Sequence, residues 1–202
     1  SKRDNNETYS KNMTEKAGST VEIAANFDAI QDFVKGKKIS ELEELVGKTP
    51  EEAVDAVTGA TLADTQGYIK AILEAAKKAE STTGVEFAGN VEDLTLSQSY
   101  AAAHGTKSFA ITSTLVNKEE VVLAYIDELQ YMAADTTTAV ANSDADLAEN
   151  YAEGKALGSK RDNAETYSKN MTEKAGSTVA IDANFDAIQE FVQGKKISEL
   201  EE

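Results

Sequence analysis

Residues 57–65, VTGATLADT, gather three threonine hydroxyls, Thr58, Thr61 and Thr65, around two residues without bulk, Gly59 and Ala60. The stretch lies directly before a strong helical pattern. Small residues let the backbone come close to a ligand. Free N–H groups at a helix N-terminus then favour an anion, helped by the helix dipole. The chemistry this suggests is phosphate binding. The same residues also fit a plain capping role, with Thr61 as the N-cap of the following helix.

Other chemistries have little support. His104 is the single histidine and sits beside Gly105, which reads as a loop position and leaves no His-rich metal site. Cysteine is absent, so disulfides, thiolate metal sites and cysteine nucleophiles are excluded. One histidine and no nucleophile elbow also argue against a hydrolase. The net charge of -16 repels phosphate backbones and anionic lipid heads, so no nucleic-acid partner is expected. An acidic surface of this kind suits solubility, or a diffusing protein that meets a basic partner.

An apolar share of 41% is enough for a packed core, and no run of 18 apolar residues occurs. The opening SKRDNNETYS has no apolar stretch and does not read as a signal peptide. Such a chain fits the cytosol, or a mature or trimmed secreted protein.

The elements that must position the threonine turn follow from periodicity. Phe27, Ile30, Phe33 and Val34 recur at helical spacing, with Gly36 as the stop. Ser40 and Gly47 are expected to cap a short helix. Thr49, Pro50 and Glu52 form a capping box with proline at the first helical position. Leu62, Thr65, Ile69, Ile72 and Ala76 line one side of the longest helical pattern, residues 61–79. Beyond Gly89 the pattern changes. Phe109 and Ile111 alternate with polar neighbours, and residues 121–132 read as a strand buried on both sides near its start. The two predict a β-hairpin turning at NKEE. Residues 133–158 read as a polar connection with one short helix. One hairpin against several helices predicts an α+β fold, a small antiparallel sheet flanked by helices.

The chain also repeats itself. Residues 1–44 return as residues 159–202 with five differences: Asn6/Ala164, Glu22/Ala180, Ala24/Asp182, Asp32/Glu190 and Lys35/Gln193. The offset of 158 residues is far beyond solenoid periods and reads as a tandem domain duplication.

Residues 55–61, DAVTGAT, match the pattern D-x-x-[ST]-G-A-T throughout. On this motif the chain resembles the FMN-binding domains of sodium-pumping redox complexes and related bacterial electron-transfer proteins. The duplication, the segment GSKRDNAETYSKNMTEKAGSTV and the acidic, cysteine-free character are similar to the duplicated extracellular flavin lipoproteins of Gram-positive bacteria. The resemblance implies FMN held by a phosphoester bond to Thr61, installed by a magnesium-dependent flavin transferase. It implies a cofactor site at Asp55, Thr58, Gly59, Ala60, Thr61, Leu62 and Thr65. The ring is expected at a Gly-rich stretch, Leu157, Gly158, Ser159 and Lys160, with Lys2 as the counterpart of Lys160. Met13, Met171, Tyr9 and Tyr167 fit ring contacts or core positions.

The resemblance further implies an electron carrier outside the cell, anchored to the membrane through a lipidated N-terminus that lies outside this chain. Electrons would pass from a membrane quinone or dehydrogenase chain to external acceptors such as ferric iron. In such domains the hairpin comes first and the motif last. Residues 1–80 are then the back of one domain, 81–88 a linker, and 89–202 the front of the next. Residues 159–202 are expected to dock on their own hairpin, since that connection is short; the alternative is that 89–158 closes on 1–80 in permuted order, with 159–202 a spare copy of 1–44. Residues 1–80 are left seeking a partner hairpin, which opens the way to domain-swapped self-association. A reading from another class is a non-enzymatic cell-surface binding or signalling module whose flavin motif is unused.

Overall fold

The computed structural model describes residues 1–82, 84–106, 108–141 and 153–201. It is α+β and divides into two compact units, Ser1–Gly84 and Val85–Glu202. The division falls inside the stretch 81–88.

The first unit is helical: α1 (Asn6–Ala17), α2 (Ile23–Val34), α3 (Ile39–Val46), α4 (Pro50–Ala56) and α5 (Thr65–Glu80). Helix α1 stops at Gly18, whose left-handed φ of 65° lets its N–H close on Thr14. The first turn of α2 borrows its caps from α1. Ser10 Oγ accepts the N–H of Ile23 at 3.0 Å, and Asn6 Oδ1 accepts that of Ala24 at 2.9 Å. The capping box at Thr49 and Glu52 forms as expected, with both reciprocal bonds present. Helix α3 begins one residue before the expected cap at Ser40. The backbone N–H of Lys38 is instead taken by the Glu41 carboxylate at 2.8 Å. Ile30, Leu42, Leu45, Val57, Ala60, Ile69 and Leu73 form one core cluster, so α2, α3 and the turn after α4 all pack on α5.

The second unit holds a four-stranded antiparallel sheet in the order β1 (Leu94–Ala101), β2 (Ser108–Asn117), β3 (Glu120–Ala133) and β4 (Lys155–Ser159). The expected hairpin is β2–β3. It turns at Lys118, the one described non-glycine residue with positive φ. Val121 and Val122 are both buried, so β3 is covered on both faces at its start. Two strands were not legible in the sequence. β1 carries Leu94, Leu96 and Tyr100 on one face, but seven of its eight residues are exposed. β4 lies where a polar connection was expected. Residues 142–152 of that connection lie outside the described residues; among its described residues a 3-10 turn occupies 134–136.

The second copy of the repeat follows β4 as α6 (Ala164–Ala175), α7 (Ile181–Val192) and α8 (Ile197–Leu200). It docks on its own sheet. The N–H of Val121 donates to Lys195 O at 2.9 Å, and those of Gly194 and Ile197 donate to Val121 O and Glu119 O. Among the described residues no helix is long and apolar enough to cross a membrane.

Candidate functional site

The threonine motif is a tight turn between α4 and α5. The N–H of Ala60 donates to Val57 O at 3.1 Å, closing a four-residue turn. Its third residue is Gly59 at φ 91°, a region that side-chain-bearing residues adopt only with strain. Val57 and Ala60 point inward and belong to the core. Thr58, Gly59 and Thr61 are exposed, as is Asp55 on the last turn of α4. Burial of Val57 and Ala60 at the two ends of the turn therefore pins it, while Thr58 and Thr61 are exposed.

Helix α5 does not start at Thr61. Its first residue is Thr65, with Asp64 at the N-cap position, so Thr61 does not cap it. Thr65 is fully buried and its Oγ1 donates to Leu62 O at 2.7 Å, which places it in the scaffold rather than at the surface. What holds Thr61 is Asn26 on α2. Asn26 Oδ1 accepts the Thr61 N–H at 2.6 Å and lies 3.4 Å from its Oγ1. Asn26 is itself fully buried and fixed through Nδ2, which donates to Val21 O and Glu22 O. The amides of Leu62, Ala63 and Asp64 donate to no protein acceptor among the described residues. These are the donors nearest in sequence to Thr61 that an anion there could use, though the Asp64 carboxylate is close in sequence and opposes it. The residues present therefore fit a phosphate carried on Thr61 better than a freely exchanging one, because a covalent bond does not depend on net charge. Sequence reasoning missed Asn26. Its one signal was an amide at a position otherwise inside an apolar helical pattern.

The second set of expected residues, Leu157 to Lys160, lies in the second unit along β4 and just beyond it. All four are buried. Ser159 Oγ donates to Asp127 Oδ2 at 2.5 Å. Lys160 is an ion-paired core residue, 2% exposed, bonded to Glu128 and lying 4.6 Å from the centroid of Tyr167. A Cβ on Gly158 would sit 2.5 Å from Thr137 Cγ2 and 2.7 Å from Met132 Cε. The glycine is thus required by close packing of the 136–138 segment on β4. Next to it lies a cavity of about 300 Å³ whose lining includes His104, Gln130, Lys155, Tyr167, Met171 and Lys174. Met171 and Tyr167 so face open space in this copy. Among the described residues no group of histidine, aspartate and glutamate could hold a metal ion.

The two copies of the repeat solve the same contacts differently. In both, the arginine pairs with the same helix: Arg3 with Asp28 and Gln31, Arg161 with Asp186 and Gln189. In the second copy Arg161 Nε also donates to Ile126 O at 2.6 Å, and Gln189 Oε1 accepts the Ile126 N–H at 2.8 Å. In the first copy there is no strand in that place, and Lys2 turns to the Tyr68 hydroxyl at 3.3 Å. Three of the five sequence differences fall in one contact. Asn6 Nδ2 donates to Glu22 at 2.7 Å and Asn6 Oδ1 accepts from Ala24, and all three positions change together in the second copy. Comparison with protein-family models, with curated proteins and with solved structures returned no match.

Proposed function

We propose that the chain is part of a tandem-duplicated, FMN-binding electron-transfer protein that works outside the cell, with FMN esterified to Thr61. The observation that carries this reading is the presentation of Thr61: an exposed hydroxyl on a turn held from below by Val57, Ala60, Gly59 and Asn26. A transferase needs a threonine it can reach and a backbone that does not move, and this turn supplies both. Attachment would form one P–O bond to Thr61 Oγ1. The hydroxyl proton is lost and the flavin donor's leaving group departs with the electrons of the bond it breaks. Thr58 and the free amides of Leu62 and Ala63 are the groups in this turn that could hold the phosphate.

The flavin ring supplies the redox chemistry when bound, and the protein supplies position and electrostatics. Electrons would arrive from a membrane quinone or dehydrogenase chain and leave to external acceptors such as ferric iron. Leu157, Gly158, Ser159 and Lys160 lie in the second unit, where the domain order of the resemblance would make them part of the next domain's flavin site, and they hold β4 in place. Each is already occupied by protein partners within that unit. Co-expression with a flavin transferase, followed by peptide mass mapping, tests the proposal. FMN mass on the peptide containing Thr61, absent in Thr61→Val, is the expected result. FMN on Thr58 or Thr65, or FMN retained in Thr61→Val, would overturn it. A colourless, unmodified product favours the binding-module reading instead.

A further inference from the structure

The cavity beside Gly158 has a charge opposite to that of the protein around it. The chain carries 36 aspartates and glutamates against 20 lysines and arginines. None of the residues lining this cavity is acidic, yet Lys155, Lys174 and the single histidine, His104, all line it. Lys155 opens β4 and Lys174 lies on the last turn of α6, so one cation comes from the sheet and the other from a helix. Neither lysine side chain has an ion-pair partner among the described residues. Cations lining a concave surface without carboxylates draw an anion into it.

The uncharged groups narrow the anion. Gln130 lines the cavity, and its Oε1 is buried with no hydrogen-bond partner among the described residues. A buried acceptor left unpaired is costly, and a hydroxyl on a ligand would supply the missing donor. Thr166 and Asn170 line the same space from α6, exposed and with no side-chain hydrogen bond among the described residues. Asn163, by contrast, is fully used: its Oδ1 accepts the Thr138 N–H, and its Nδ2 donates to Thr138 O and Ser159 O. Tyr167, Met171 and Met132 are half-buried and give the cavity an apolar wall. Cations select acidic groups, the amides and hydroxyl select hydroxyls, and the ring and thioethers select a carbon skeleton that packs on them. The volume of about 300 Å³ is that of a small-molecule site.

We propose that this cavity binds an acidic carbohydrate, one or two sugar rings carrying carboxylates. Lys155 and Lys174 take the carboxylates, Gln130 accepts a sugar hydroxyl, Asn170 and Thr166 bond to others, and Tyr167 and Met171 pack on the ring carbons. The site lies within the second unit and involves no residue of the Thr61 turn, so it stands whether or not Thr61 carries flavin.

The methionines supply the test. Of the three in the chain, Met132 and Met171 line the cavity and Met13 lies in the first unit. The intact chain, labelled with carbon-13 at the methionine methyls, is titrated with digalacturonate and followed by NMR. Saturable shifts of Met132, Met171 and the His104 imidazole are expected, with Met13 unmoved. The dimethyl ester of the same disaccharide, which lacks the charges, should bind at least about tenfold more weakly. Lys155→Gln and Lys174→Gln change exposed side chains and should each weaken binding by about tenfold. Gln130→Leu should weaken the disaccharide and its ester by the same factor, since it removes a hydroxyl partner and no charge. The proposal fails if no saturable shift appears at millimolar ligand, if the ester binds as well as the acid, or if binding survives Lys155→Gln with Lys174→Gln. Inorganic phosphate that produces the same shifts at the same concentration would reduce the cavity to a general anion site and overturn the sugar assignment. FMN that displaces the disaccharide would assign the cavity to a flavin and overturn it as well.

Discussion

Asn26 holds Thr61. The carboxamide oxygen of a fully buried residue on α2 accepts the backbone N–H of an exposed threonine 35 positions away, at 2.6 Å. The turn that presents Thr61 is thereby fastened to the helix beneath it. Asn26→Ala leaves the Thr61 N–H without its partner, while Val21 O keeps Ser19 Oγ and Glu22 O keeps the backbone N–H of residue 26. Leaving buried polar groups unsatisfied costs about 1–3 kcal/mol. Chemical denaturation should show the transition of the first unit moving to lower denaturant while that of the second unit stays. Flavin attachment at Thr61 should fall as well, because the turn loses its anchor. An Asn26→Ala protein with unchanged stability and attachment would show that the bond matters to neither.

Lys160 and Lys2 have the same sequence surroundings and opposite environments. Lys160 is buried against Glu128, whose side chain is 5% exposed, while Lys2 lies at the surface. Removing one partner of a buried ion pair costs about 3–5 kcal/mol, because the other charge stays buried alone. Lys160→Met should therefore destabilise the second unit by about that much. The double change Lys160→Met with Glu128→Leu should recover most of the loss. Lys2→Met should change stability by no more than about 0.5 kcal/mol at neutral pH. Equal effects of the two lysine changes would contradict the structure.

Gly158 lies under Thr137 and Met132. Gly158→Ala would place a methyl group 2.5 Å from Thr137 Cγ2, a distance that forces movement. Overpacking of this kind costs about 1–3 kcal/mol. The thermal midpoint of the second unit should fall. Gly158→Ala combined with Thr137→Ser, which removes the clashing methyl, should restore part of it.

Lys2 gives the first unit a pH dependence. Partial burial works against its charged form, but hydrogen bonds with Tyr9 and Tyr68 and the charges of those groups outweigh it, raising its pKa above the usual lysine value of 10.5. A folded pKa above the unfolded one means that folding favours the protonated form. The contribution is complete below the unfolded lysine pKa and is lost as pH rises through the raised value. Stability of the first unit measured from neutral to strongly alkaline pH should fall more steeply in the parent protein than in Lys2→Met. Identical slopes would remove Lys2 as a cause.

Local features were legible because their causes are local. The capping box at Thr49 and Glu52, the stop at Gly36, the β2–β3 hairpin and the tight turn at Gly59 each depend on residues a few positions apart. Strand β1 was not legible. Leu94, Leu96 and Tyr100 alternate with polar residues, but that face is not buried, and pairing with β2 makes it a strand. Strand β4 was missed for the opposite reason. Its KALGS is short, and its burial comes from β3 and the 136–138 segment. The start of α5 at Thr65 rather than Thr61 was also hidden.

The sequence by itself determined that two stretches of 44 residues would form the same helices, because identical local patterns and caps act within each. It also determined that Thr61 would sit on a glycine-containing turn. Only the tertiary structure decided which face of each copy is buried. Ile30 is covered and Ile188 is not, while Lys160 is covered and Lys2 is not. The repeat is apolar toward the helices and polar toward the sheet, and burial belongs to whichever partner is present. A lysine is almost never fully buried unless paired, so nothing in SKRDN marks Lys160 as a core residue. Its partner Glu128 is 32 positions away in the chain, and only the fold brings the two charges together.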